Sequence, residues 1–245
     1  MMHAHPLSET LMPHPSIPPI PSADLKRNAE ASRYALVRRV APAIRHQMAG
    51  SFQPVTMMAA IIEKRLLTPT ADLSALVKTS AQVRALANAA TRASLDLMMW
   101  IAPDPEARVA LGKGIQDALQ LVATELSFRG FKCVNQTQGL ATEVALHQVR
   151  GVFVAGLLAL TDAAATPANV LLMARREGQD MVVTVALAAV ESAAAATAPS
   201  EEFHVGLATY REIDWDDVEA MAAADGASVQ HEAMTLMLRL PIAAG

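Results

Sequence analysis

A single cysteine, Cys133, stands among 245 residues. It excludes an internal disulfide and a zinc site built on several cysteines, and makes a reducing, cytoplasmic location the expectation. Aromatic residues are only 4% of the chain and charged residues 18%, with a net charge of -4 at pH 7. That balance offers no general attraction to nucleic acid or to an anionic membrane surface. No apolar run approaches the roughly 18 residues of a membrane span. The longest, Val152 to Leu160, is closed by Asp162 and reads as a buried helix. The first residues, Met1 to Pro21, lack a basic stretch followed by an apolar core, so they do not read as a secretory leader. The expectation is a soluble protein with neither nucleic acid nor membrane as a partner.

Hydrophobic residues reach 52% and alanine dominates them, which points to a mainly helical chain with small-residue packing. Pro6, Pro13, Pro15, Pro18, Pro19 and Pro21 deny both helix and ladder pairing near the start, so residues 1–23 read as a disordered Pro/His-rich tail. His3, His5 and His14 within it have no fixed geometry, and no metal site is expected.

From Asp24 to Leu67, apolar residues recur at steps of three and four: Leu36, Val40, Ile44, Met48, Val55, Met58 and Ile62. Pro42 and Pro54 fall inside this stripe and should each bend or break it. A second stripe runs from Leu73 to Ile101. Residues 24–102 therefore read as a long helical hairpin. One hairpin cannot cover both stripes, and pairing two copies into a four-helix bundle would; a homodimer is expected. Residues 103–245 change texture. They read as helix Glu106–Arg129, strand Phe131–Gln136, helix Glu143–Ala165 and a hairpin of Asn169–Ala174 with Asp180–Val190. An alanine-rich loop, helix Trp215–Ala224 and two closing strands follow. That order is an α+β sandwich with helices on one face of a mixed sheet.

This order behind a helical hairpin resembles the cytoplasmic core of bacterial sensor histidine kinases. Ile44-Arg45-His46-Gln47-Met48 stands where that family has its histidine box. Leu157 through Pro167 is similar to the helix carrying its asparagine box, and Leu171 to Val185 to the hairpin that follows. Val218 to Gly226, then Met237 to Pro241, resemble its terminal helix and closing strand. The resemblance implies a phosphoacceptor hairpin joined to an ATPase-like sandwich of the histidine kinase, gyrase and Hsp90 type.

The departures are as informative. The family's magnesium- and phosphate-holding asparagine falls at Thr161 or Asp162, and Glu191 stands near where its adenine-reading aspartate and glycines belong. Gly206 is the only glycine between Gly178 and Gly226, so a glycine-rich lid is missing. Triphosphate binding needs open backbone N–H groups and oxygen-held magnesium, and these residues supply neither; no nucleotide cofactor is expected. Thr161, Asp162 and Glu191 thus read as a degenerate nucleotide site. Gly112-Lys113-Gly114 lacks the spacing of a phosphate loop and reads as helix.

His46 can be placed by helix geometry alone. At about 100° per residue it lies opposite the centre of the apolar stripe, sharing its face with Arg39, Pro42, Ala43, Ala49, Gly50 and Gln53. An exposed imidazole is a competent phosphoryl acceptor. The neighbours Arg39, Arg45, Ala49, Gly50 and Gln53 read as a docking face, small enough for access and basic enough for an acidic phospho-aspartate pocket. Where family kinases carry Glu or Asp after the histidine, Gln47 stands here, and Ser51 replaces a common proline.

The sequence therefore points to a two-component protein that exchanges a phosphoryl group between His46 and the aspartate of a response-regulator receiver domain, without ATP. The alternative is a non-catalytic dimeric module that binds a kinase or receiver. An active ATP-dependent kinase would require Thr161, Asp162 or Glu191 to replace the missing contacts. Cys133 reads as a small core residue, and the acidic run Glu212 to Glu219 as a solvated helix start.

Overall fold

The computed structural model describes residues 22–68, 72–189 and 212–243. Residues 1–21 of the Pro/His-rich tail, with Glu191 and Gly206, lie outside the described residues; Ser22 and Ala23, read as the end of that tail, instead form the cap and first residue of a helix. Helix α1, Ala23–Leu66, is capped by Ser22, whose hydroxyl accepts from Leu25 N at 3.2 Å. It runs 44 residues through Pro42 and Pro54. The expected breaks do not occur. Each proline forfeits one ladder bond, and the helix continues through both.

Helix α2, Leu73–Ile101, starts at Asp72, which accepts from the backbone of Ser74 and Ala75, and packs along α1. Along α1 the buried positions Ala29, Ser32, Leu36, Val40 and Ile44 keep the expected steps of three and four, and then stop. Beyond Ile44, Val55, Met58 and Ile62 are half-buried, and Phe52, Met57 and Leu66 are exposed.

The sandwich begins with β1 (Arg108–Ala110), α3 (Leu111–Phe128), β2 (Lys132–Asn135) and β3 (Glu143–Ala145). Helix α4 starts as Leu146–Gln148, passes through a π-helical stretch at Val149–Phe153 and continues as Val154–Asp162. Strands β4 (Asn169–Glu177) and β5 (Asp180–Ala188), helix α5 (Trp215–Ala224) and strands β6 (Ser228–Glu232) and β7 (Thr235–Pro241) complete it. The main sheet has the order β2-β4-β5-β7-β6, parallel only between β2 and β4. The α+β architecture is the expected one.

Two short stretches read as helix are strand instead. Arg108 to Ala110 pairs antiparallel with Glu143 to Ala145, burying Val144 completely. Cys133 is also not in the core: it is exposed on β2, an edge strand. The apolar core is continuous from Leu36, Val40, Ile44, Leu97 and Trp100 into α3, α4 and the sheet. The lower hairpin and the sandwich therefore share one interior.

Gly112-Lys113-Gly114 is the first turn of α3, as the helical reading had it, and packing explains the first glycine. A Cβ on Gly112 would stand 2.5 Å from the carbonyl oxygen of Thr137, a backbone atom that cannot step aside cheaply. Gly112→Ala should cost about 1–3 kcal/mol by overpacking, whereas Lys113→Ala, on the exposed side, should stay within about 0.5 kcal/mol. Urea unfolding of both variants checks this; equal midpoints would contradict the packing account.

Candidate functional site

Helix α1 carries His46 two residues beyond Ile44, its last buried position, and the imidazole is exposed. Arg45, Ala49, Gly50 and Gln53 are exposed around it. His46 opens onto a groove of ≈ 220 Å³ between α1 and α3. Arg39, Pro42, Ala43 and Gln47 form the α1 wall, and Gln120, Leu121, Thr124 and Glu125 the α3 wall. The α3 residues were not anticipated, because helix periodicity shows which face of α1 is polar and not what stands opposite.

Arg39 departs from the docking face expected of it. It shares the His46 side of α1, but its side chain is 5% exposed because α3 and α4 cover that side below His46. Its Nε and Nη2 donate to Glu125 Oε1 at 3.2 and 2.5 Å, and Nη2 also reaches Asp162 Oδ1 at 3.2 Å. Arg129 completes a quartet, at 2.7 Å from Asp162 Oδ1 and 3.5 Å from Glu125 Oε1. Two guanidinium groups and two carboxylates leave the quartet neutral, which a buried ionic cluster requires.

Burial works against the charge of Arg39, but Glu125 and Asp162 outweigh it and hold its pKa above the ordinary value. Burial likewise pushes the Asp162 carboxyl up, against the pull of Arg39 and Arg129 and with the push of Glu125 and Glu212. Between its unfolded and native pKa values, the native state therefore holds a proton that the unfolded chain releases. The stabilisation from Asp162 is full below its unfolded pKa of about 4 and is lost as pH rises through the higher native value. Asp162→Asn removes that slope. The stability of the variant relative to wild type should rise with pH across this window, read from urea midpoints; a constant gap would contradict it.

Thr161 is fully buried in α4 and donates its hydroxyl to the carbonyls of Leu157 and Leu158. Its own carbonyl accepts from Arg129 Nη2 at 2.7 Å. Asp162 is committed to two arginines. Thr161 and Asp162 as placed do not fit a magnesium–triphosphate group: one hydroxyl is sealed in the helix and one carboxylate is already paired.

Two further ties fasten α1 to α5. Ser32 Oγ donates to Asp217 Oδ1 at 2.7 Å in a buried contact, and Arg33 pairs with Asp225. Asp217 also closes a reciprocal capping box with Asp214, so part of the acidic run is structural rather than solvated. His147 sits half-buried, 3.9 Å from Asp225, and His231 stacks on Trp215 at 3.9 Å. Among the described residues no group of three or more His, Cys, Asp or Glu could hold a metal ion, and no helix is long and apolar enough to cross a membrane.

No family model matches the chain, and no curated protein matches it. Among solved structures it is similar to the Acinetobacter baumannii histidine kinase AdeS at 12% identity, covering 77% of this chain and 97% of that one, with a TM-score of 0.40. A histidine kinase from Burkholderia phymatum STM815 is 16% identical over 91% of this chain and 100% of that one, with a TM-score of 0.38. A bacterial phosphotransferase is 14% identical over 92% of this chain and 100% of that one, with a TM-score of 0.34.

Proposed function

We propose that this chain is a histidine-kinase-like protein of two-component signalling in which His46 exchanges a phosphoryl group with the aspartate of a response-regulator receiver domain, without binding ATP. The supporting observation is the position of His46, exposed on an unbroken helix at the mouth of a groove walled by α3. In the exchange, the lone pair of the neutral imidazole nitrogen attacks the phosphorus of the aspartyl phosphate. An N–P bond forms as the P–O bond to the aspartyl oxygen breaks, and the carboxylate leaves with the bonding pair. The other ring nitrogen carries the proton and can release it to water. The step needs no neighbouring base, so Gln47 is no obstacle.

Uptake from ATP would need a triphosphate held with magnesium, and the sealed Thr161 and paired Asp162 argue against it. Arg45, Ala49, Gly50 and Gln53 supply the open part of the docking face. A second copy is the natural cover for Leu95, Met98 and Ile101, exposed three residues apart along α2.

The second reading, a binding module that moves no phosphoryl group, draws on the amide of Gln47 where kinases of the resembled family carry an acid. The two readings separate on His46. Wild type and His46→Ala are incubated with a phosphorylated receiver domain and, separately, with radiolabelled ATP. Label passing from the receiver to wild type alone, and none from ATP, is the expected result. Binding of the receiver by both proteins with no label on either would support the module.

A further inference from the structure

We propose that Arg39 and Glu125 are positioning residues of the phosphoryl-exchange site: their buried tie fixes the α3 wall at one distance from His46, so that a receiver domain seats against both helices at once. The proposal rests on the exchange reading above.

Arg39 stands two turns before His46 on the same side of α1, and both line the groove with Glu125. Glu125 follows Thr124 directly and lies little more than a turn beyond Gln120, the exposed α3 residues facing the histidine. The tie is therefore at the base of the groove, and its length sets the groove's width. It resists swinging for a geometric reason. One guanidinium is held by carboxylates from two elements, Glu125 of α3 and Asp162 of α4, and Arg129 braces both. The contacts of Ser32 and Arg33 with α5 pin the same helix further down.

An in-line transfer between two proteins depends on such spacing, because the receiver must place its aspartyl phosphate within reach of the imidazole nitrogen while resting on α3. Displacement by about 1 Å can cost on the order of 100-fold in rate. A small phosphodonor has no wall to rest on and needs only the exposed imidazole.

The test compares the full-length wild type with Arg39→Met/Glu125→Gln, which keeps the Arg129–Asp162 pair and replaces the tie by side chains of similar length. Two donors are used: a phosphorylated receiver domain, and phosphoramidate, which passes its phosphoryl group to the imidazole and releases ammonia. The variant should lose about 10- to 100-fold in kcat/KM with the receiver, mostly through kcat. Its uptake from phosphoramidate and its spontaneous loss of the phosphoryl group should match wild type.

Unchanged kcat/KM with the receiver overturns the proposal, and so does an equal fall with both donors, which marks general loosening. If the double variant melts too early to assay, Arg39→Lys, which keeps the charge but loses the fork that spans Glu125 and Asp162, takes its place and should still lose several-fold in kcat/KM with the receiver while matching wild type with phosphoramidate; unchanged kcat/KM with the receiver counts against the proposal. A wild type that accepts from neither donor removes the exchange reading itself, a result distinct from failure of the tie.

Discussion

His46→Ala is expected to lower phosphoryl uptake from a phosphorylated receiver domain by a factor on the order of 10⁴ or more, the scale seen when a nucleophile is removed outright. Its stability should change by no more than about 0.5 kcal/mol, because the side chain is exposed and the flanking turns of α1 stay intact. The pairing of the two outcomes matters. Loss of transfer with an unchanged unfolding midpoint assigns chemistry to the imidazole; loss of both would assign it a structural place. Retained transfer would move the acceptor elsewhere, and the groove between α1 and α3 would then need another role.

Arg39→Ala should produce the largest loss of stability, about 3 kcal/mol, since it leaves two part-buried carboxylates, each 15% exposed, with one guanidinium between them. The side chain is 5% exposed, so solvent screens little of this. Removing Glu125 together with Arg39 should cost less than Arg39→Ala alone, because Arg129 and Asp162 remain a 2.7 Å pair with no third charge left over. Denaturant unfolding of both variants measures the difference. A double variant no better than Arg39→Ala would mean that the quartet is not one coupled unit.

Much of the architecture was legible because it is written locally. Helix α5 starts where Asp214 and Asp217 cap each other and ends at Asp225-Gly226, both visible as sequence signals. The turn of the β4–β5 hairpin is likewise marked by Gly178, at φ +61°. The strands β1 and β3 were not legible. Each is three residues long, and they exist only by pairing across more than thirty positions. The unbroken course of α1 through Pro42 and Pro54 was not legible either, because proline's local preference points to a break.

The site divides the same way. Periodicity placed Arg39 and His46 on one face of α1, and they do share it. What periodicity could not supply is that α3 and α4 bury that face up to Arg39 and leave it open at His46. The partners did leave a trace: Glu125 and Arg129 lie four residues apart on α3, and Asp162 follows the apolar run Val152 to Leu160 at the end of α4. Charges in such settings ask for partners. The sequence names the charges but not which of them meet.

The most direct measurement maps the phosphoryl group. The full chain is mixed with a phosphorylated receiver domain, without ATP, and digested under alkaline conditions that preserve phosphohistidine. The account predicts one added phosphoryl group on the peptide containing His46, stable to base and lost in acid. A phosphoryl group on any other residue, or none on His46 unless ATP is supplied, would contradict it.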